Sequence, residues 1–165
     1  MSASFVHLRL HSAFSLTEST LRIGTLTELV SGDYQPAAAI TDTNNMFGAL
    51  EFAQSMAAAG VQPIMGAQIE LKDKAGHGDV VLLAKNQTGY VNLSQLLSKI
   101  LLSGDAAQTP ASVVEDFANY SDGLILLTGG ALTGFVGGPA GDGRVNLAQK
   151  RLENLADIMR GRLYI

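Results

Sequence analysis

The stretch FVHLRLHSAFS, residues 5–15, has the alternating pattern of a first β-strand that runs into a small polar turn. Strand residues two apart point to the same face, so this pattern places His7, Arg9 and His11 together on one face. Imidazoles at that spacing near a strand end are well placed to bind one metal ion. Arg9 is the exception, because a guanidinium keeps its proton near neutral pH and cannot coordinate a cation. The stretch therefore predicts either a metal site or the remains of one.

Beyond this stretch the chain alternates predicted strands and helices. Further strands are predicted at residues 36–40, 61–71, 80–84 and 124–127, with another beginning at 163–165. Helices are predicted at 21–30, 46–59, 90–102, 110–117 and 144–159, and loops at 72–78 and 129–143. Repeated β-α units of this size predict an α/β fold with mostly parallel strands and with function at the C-terminal ends of the strands.

Polar side chains fall at those ends. His11, Asp42 and Gln68 each lie at or just after a predicted strand end, so we expect them to converge on one pocket. Two residues have the character of helix caps: Asn45 before the helix that starts at residue 46, and Thr109 before the helix that starts at residue 110.

Composition limits the possible functions. The 165 residues are 47% hydrophobic and 16% charged, which suits one domain or a large piece of one. A net charge of −4 and a pI near 5.2 argue against a general nucleic-acid binder, which usually has a basic excess. The lack of Cys excludes thiolate zinc sites, disulfides and a cysteine nucleophile. Since no segment has the pattern of a signal peptide or of a membrane span, we expect a cytoplasmic protein with no membrane partner.

Three segments together resemble a known family. FVHLRLHSAFSLTES (5–19), AAAITDTNNMFGALEFAQSMAAAGVQPIMGAQIEL (37–71) and VVLLAKNQTGYVNLSQLLSK (80–99) are similar to the PHP (polymerase and histidinol phosphatase) domain at the N-terminus of the bacterial DNA polymerase III alpha subunit. The resemblance covers nearly all of residues 4–165. It implies the first part of a distorted, TIM-like, seven-stranded βα barrel, so residues 1–165 would be a PHP domain that is incomplete at its C-terminus. The palm domain with the polymerase carboxylates would follow later in the chain.

The first two metal-ligand motifs of the family are only partly present. Metal-binding members carry His-x-His-Thr, and here residues 9–12 are Arg-Leu-His-Ser, so Arg9 replaces the first ligand and His11 is kept. The motif Thr-Asp-His appears as residues 41–43, Thr-Asp-Thr, which keeps the carboxylate of Asp42 and replaces an imidazole by Thr43. We hypothesise that Arg9 pairs with Asp42 and takes the place of the metal charge.

The next two motifs are altered as well. The family usually places Glu after Gly-x, and here Gln68 follows Gly66 and Ala67. A His often precedes the LLAK strand, and the matching residue is Asp79, with His77 two positions earlier. A neutral amide is a far poorer cation ligand than a carboxylate. The resemblance therefore implies a vestigial pocket with no bound metal, with zinc or manganese present only if the site were active.

Two histidines have simpler interpretations than metal binding. His7 precedes the family motif by two residues, which favours a hydrogen-bonded structural role. His77 lies between glycines in a predicted loop, which favours a solvated side chain.

Two kinds of function remain open. The resemblance implies a structural module of a replicative DNA polymerase, a nucleotidyltransferase that uses magnesium in its palm domain. The module would have no catalytic residue of its own and would support the rest of the alpha subunit. In some relatives it would also dock the proofreading exonuclease and other replisome components. DNA would be bound by the longer chain. The alternative is a metal-dependent phosphoesterase or 3′–5′ exonuclease, which needs two or more cations to activate water. The ligand substitutions favour the structural module.

Overall fold

The computed structural model describes residues 5–103 and 110–165, and the chain divides into two compact units, Met1–Ala67 and Gln68–Ile165. Both units mix helices and strands, which confirms the α/β class. In the described parts of the chain no helix is long and apolar enough to cross a membrane.

The first unit is built on one parallel strand pair. It contains α1 (Ile23–Gly32), β1 (Ala37–Ile40), α2 (Ala49–Ala58) and the first half of β2 (Gln62–Asp73). Strand β1 runs parallel to β2, with Ala37 opposite Gln62 and Ile40 opposite Met65. Both helices cover this pair with one apolar face each, and the core contains Ile23, Leu26, Val30, Ala38, Ile40, Phe52, Met56 and Val61.

The start of α2 differs from the prediction. The helix begins at Ala49 rather than at residue 46, so Phe47 lies in the preceding turn and is largely exposed. Leu50 is also exposed, because it projects from the side of α2 opposite to Phe52. Asn45 does not cap the helix, since the cap position is Gly48.

The predicted first strand is wrong as a regular strand. Residues 5–12 are extended, and one parallel bridge joins His7 to Ala38. The amides of Ala39 and Thr41 donate to the carbonyls of His7 and Leu10. These donors are two residues apart and their acceptors are three apart, so an extra residue interrupts the ladder as in a β-bulge. The strict alternation that placed Arg9 beside the histidines is therefore lost, and Arg9 is exposed.

The second unit has both parallel and antiparallel strand pairs. Its elements after β2 are β3 (Gly76–Ala84), α3 (Gln87–Ser103), β4 (Ala111–Val113), α4 (Val114–Ala118), β5 (Leu124–Leu127), α5 (Gly137–Gly141), α6 (Val145–Met159) and β6 (Leu163–Tyr164). The second half of β2 is parallel to β4, β5 is parallel to β6, and β3 is antiparallel to β5.

Two predicted loops of the second unit are folded more regularly than expected. The segment 72–78 is largely strand, since β2 ends at Asp73 and β3 begins at Gly76. Two connecting residues are too few for a parallel crossover, so the chain must turn back on itself.

The predicted helix at 110–117 begins instead with the strand β4 and continues as α4, and the proposed cap Thr109 lies outside the described residues.

The glycine-rich segment 129–143 is also more than a loop, because it contains α5 and packs closely against β3. The backbone of Asp79 donates to Thr133 O over 2.9 Å and accepts from Phe135 N over 2.9 Å. A Cβ on Gly78 would lie 2.6 Å from Phe135 Cα. Glycine at position 78 therefore permits an approach of two backbones that any side chain would block.

A buried arginine joins three segments of the second unit. Arg151 of α6 is 4% exposed and donates from Nε and Nη2 to the two carboxylate oxygens of Asp73, over 2.9 and 2.8 Å. Its Nη1 donates to Phe135 O over 2.8 Å, and its guanidinium carbon lies 4.0 Å from the centre of the Phe135 ring. Such a bidentate pair stabilises one arrangement of the end of β2, the glycine-rich segment and α6.

The pair predicts a dependence of stability on pH. The hydrogen bonds from Arg151 lower the pKa of the Asp73 carboxyl below its ordinary 3.8, although partial burial acts in the opposite direction. Because this carboxyl binds its proton less readily in the folded protein, the pair contributes stability above the unfolded pKa and loses it as the pH falls through the folded value. We expect the free energy of unfolding to fall more between about pH 5 and about pH 2 in the wild type than in Asp73→Asn, as measured by urea denaturation. Equal losses in the two proteins would contradict this assignment.

Candidate functional site

The candidate site in the first unit centres on the carboxylate of Asp42, two residues beyond β1. Asp42 is 1% exposed. Its Oδ1 accepts hydrogen bonds from Ser12 N and Ser15 Oγ, both over 2.6 Å, and its Oδ2 accepts one from Ser12 Oγ over 2.7 Å. Three short hydrogen bonds of this kind fix the orientation of the carboxylate. Both carboxylate oxygens are therefore bonded within the protein.

A second carboxylate, Glu18, extends this network to the other predicted site residues. Glu18 Oε2 accepts from Thr43 Oγ1 over 2.7 Å and lies 3.1 Å from His11 Nδ1. Ser15 Oγ links Asp42 to Thr43, because it donates to Asp42 Oδ1 and accepts from Thr43 N over 3.1 Å. His11, Asp42 and Thr43 thus lie in one hydrogen-bonded network.

Ser12, Ser15 and Glu18 are members of this network that were not predicted from the sequence. Residues 15–18, Ser-Leu-Thr-Glu, have the S-x-x-E spacing of a capping box. That spacing is used here in a turn, since Glu18 N and Ser19 N both donate to Ser15 O, each over 3.1 Å. The helix cap that the pattern suggests is absent because α1 starts only at Ile23.

The turn after β1 is fixed to the same loop by Asn45. Its Nδ2 donates to Phe14 O over 3.1 Å and to Thr43 O over 2.9 Å, and its Oδ1 accepts from Phe47 N over 3.1 Å. The last contact is an Asx turn, which explains why Asn45 has the sequence signature of a cap without capping α2.

Two of the predicted site residues belong to the second unit. Gln68 is buried in β2, and Asp79 lies half-buried on β3 with its backbone bonded to the glycine-rich segment. Neighbouring His77 is 70% exposed on its side chain, but its Nδ1 lies 2.6 Å from Glu70 Oε1. The interpretation of His77 as a solvated loop residue is therefore wrong in part, because His77 lies on β3 and pairs with a carboxylate.

The Glu70 carboxyl that pairs with His77 has a raised pKa. Burial raises this pKa, while the charge of His77 acts in the opposite direction.

His7 lies at the other end of the extended segment. Its backbone amide donates to Gln35 Oε1 over 3.3 Å, and its ring meets that of Phe5 edge to face with the centroids 4.7 Å apart. These contacts suit the structural role expected of His7.

The donor set of the first unit does not suit a multinuclear metal site. Asp42 already accepts three hydrogen bonds, and Thr43 provides a neutral hydroxyl where an imidazole would be needed. His11 has one further ring nitrogen, Nε2, which is buried and without a hydrogen-bond partner among the described residues. Within residues 5–103 and 110–165, no group of three or more His, Cys, Asp and Glu side chains is arranged to hold a metal ion.

Comparison with known proteins identifies the family. The model of the PHP domain matches residues 7–165. The chain belongs to the PHP domain family. Among curated relatives, the DNA polymerase III subunit alpha of Caulobacter vibrioides is 41% identical over 136 residues, which are 76% of this chain and 12% of that protein. The DNA polymerase III subunit alpha of Pseudomonas aeruginosa is 34% identical over 168 aligned residues, which are 100% of this chain and 14% of that protein.

This PHP chain therefore spans about one seventh of the length of the curated relatives that it matches. A crystal structure of a putative metal-dependent phosphoesterase from Bifidobacterium adolescentis gives a TM-score of 0.49 with 17% identity, over 97% of this chain and 57% of that one. A likeness of this size has no bearing on function.

Proposed function

We propose that this PHP domain is the N-terminal part of a bacterial replicative DNA polymerase III alpha subunit. The observation that carries the proposal is the 34% identity to the P. aeruginosa alpha subunit, which extends over 100% of the chain. Residues beyond 165 would complete the seven-stranded barrel and supply the palm domain, whose carboxylates hold the magnesium ions for nucleotide addition.

In this proposal the PHP domain has a structural and docking role. The site around His11, Asp42 and Thr43 is vestigial and holds no metal. The hydrogen bonds that both carboxylate oxygens of Asp42 accept from Ser12 and Ser15 support this role. The domain supports the rest of the alpha subunit and docks the proofreading exonuclease and other replisome components in the cytoplasm. DNA is contacted by the longer chain.

A domain exchange tests the proposal. Residues 5–165 would replace the aligned segment of the P. aeruginosa alpha subunit, and primer extension would be measured on a primed template. We expect the chimera to extend the primer within about tenfold of the parent, because the exchanged domain contributes no catalytic group. The control is the parent with that segment deleted, which should lose activity. A soluble, folded chimera as inactive as the deletion would contradict the proposal.

One observation favours the alternative, a metal-dependent phosphoesterase or 3′–5′ exonuclease. The buried Nε2 of His11 has no partner in the described part of the chain, and an imidazole nitrogen is a common metal ligand. Hydrolysis of a 3′-labelled DNA strand with added manganese or zinc, abolished by His11→Ala, would support this alternative over the structural role.

A further inference from the structure

We propose that the first unit contains a metal-free clasp, in which hydroxyl groups and Glu18 hold the strand-end loops that metal ions would otherwise hold. We define the clasp as His11, Ser12, Ser15, Glu18, Asp42 and Thr43. The proposal concerns the order of two loops and stands whether or not the longer chain polymerises DNA.

The surroundings of Asp42 are the first argument. A metal-binding carboxylate directs its lone pairs at the cation, whereas both oxygens of Asp42 face N–H and O–H donors at 2.6–2.7 Å. The three donors come from Ser12 and Ser15, and the carboxylate is 1% exposed. A buried anion is stable only if its charge is compensated, and here short charge-assisted hydrogen bonds do so. Ser12 and Ser15 thus do for Asp42 what a bound cation would do.

Glu18 is the second argument. Thr43 has a hydroxyl in place of an imidazole, and its proton needs an acceptor, which Glu18 Oε2 provides at 2.7 Å. The same oxygen lies 3.1 Å from His11 Nδ1. One carboxylate therefore joins the two positions, 11 and 43, at which metal-binding members of the family carry histidine ligands. Glu18 is 41% exposed on its side chain, so it lies at the rim of the clasp while Asp42 lies at its centre.

The clasp joins two segments distant in sequence. Its bonds connect residues 11–18 with residues 42–43, across sequence separations of 25 to 30 residues. Both segments contribute backbone amides: Ser12 N donates to Asp42, and Thr43 N donates to Ser15. These two amides therefore report directly on whether the clasp is closed.

Hydrogen exchange of the 165-residue chain, followed by NMR, tests the clasp. Ser15→Ala removes the acceptor of the Thr43 amide and one donor to Asp42. We expect the Thr43 amide to exchange about tenfold faster or more, because a lost buried hydrogen bond is worth about 1 to 3 kcal/mol. The Ala39 amide, which is bonded to His7 O over 2.8 Å, should not change. The matched control is Ser98→Ala at an exposed position of α3, which should leave both amides unchanged.

Two further measurements distinguish loops held by hydroxyl groups from loops held by a metal ion. Manganese or zinc added to the wild type should leave the exchange of the Ser12 and Thr43 amides unchanged, and slower exchange would overturn the proposal. If Ser15→Ala does not fold, Glu18→Ala at the exposed rim provides the second test. We expect this variant to speed exchange at Thr43 and to shift the ring ¹⁵N signals of His11, which loses its partner at Nδ1. Unchanged exchange and ¹⁵N signals in a folded Glu18→Ala protein would also overturn it.

Discussion

Arg151→Met is expected to destabilise the protein by about 3 kcal/mol, the lower end of the cost of breaking a buried ion pair. The substitution removes three hydrogen bonds and the contact with the Phe135 ring, and it leaves the Asp73 carboxylate without its cation. We place the effect at the lower end because the Asp73 side chain is 28% exposed and water can solvate part of its charge. Urea denaturation at neutral pH measures the change.

The matched control for this prediction is the next residue of α6. Lys150 is exposed, so Lys150→Met removes the same kind of charge with an expected change of about 0.5 kcal/mol or less. Adding Asp73→Asn to Arg151→Met should recover part of the loss, since it removes the unpaired charge. If Arg151→Met were no more destabilising than Lys150→Met, the proposed role of the buried pair would be wrong.

Gly89→Ala is expected to cost about 3 kcal/mol, the upper end of the usual cost of overpacking. Gly89 lies in the first turn of α3, where its backbone touches that of Gly123 before β5, and an added Cβ would overlap the Gly123 carbonyl group. Both partners in this clash are main chain, so no side-chain rotation relieves it. The start of α3 must move, although Asn86 holds it by accepting the Gly89 amide proton over 3.0 Å. Thermal unfolding followed by circular dichroism measures the effect.

Gly24→Ala in α1 is the control for that substitution. A Cβ at Gly24 meets nothing within 4 Å, and alanine is the better helix former, so a gain of about 0.5 to 1 kcal/mol is expected. Opposite signs for the two glycine substitutions would support the close approach of α3 to Gly123. A neutral Gly89→Ala would show that the two backbones are further apart than described.

Elements whose apolar residues recur at a regular spacing could be predicted from the sequence. The face of α1 that carries Leu26 and Val30 follows from helical periodicity, as does Met56 on α2, and the apolar run of β5 follows from its length. The segment 72–78 escaped prediction because charges and glycines suit a hairpin tip as well as a loop. Residues 5–15 were predicted as a regular strand because periodicity does not reveal a bulge.

The candidate site was predictable only at its centre. The family resemblance identified His11, Asp42 and Thr43, and the structure joins these three in the clasp. Glu18 was missed because its contact with Thr43 spans 25 residues and depends on how the loops fold. The pairing of Arg151 with Asp73 spans 78 residues and has no local signature at all. Hydrogen bonds between distant side chains are set by tertiary packing, which local sequence patterns do not encode.

We propose that this PHP domain holds the pocket around Asp42 with its own hydrogen bonds and binds no metal there. Elemental analysis of the purified chain, after dialysis against trace zinc and manganese and then against metal-free buffer, tests it most directly, with His11→Ala as the control. We expect metal at background level in both proteins. Near-stoichiometric metal in the wild type that is lost in His11→Ala would contradict it.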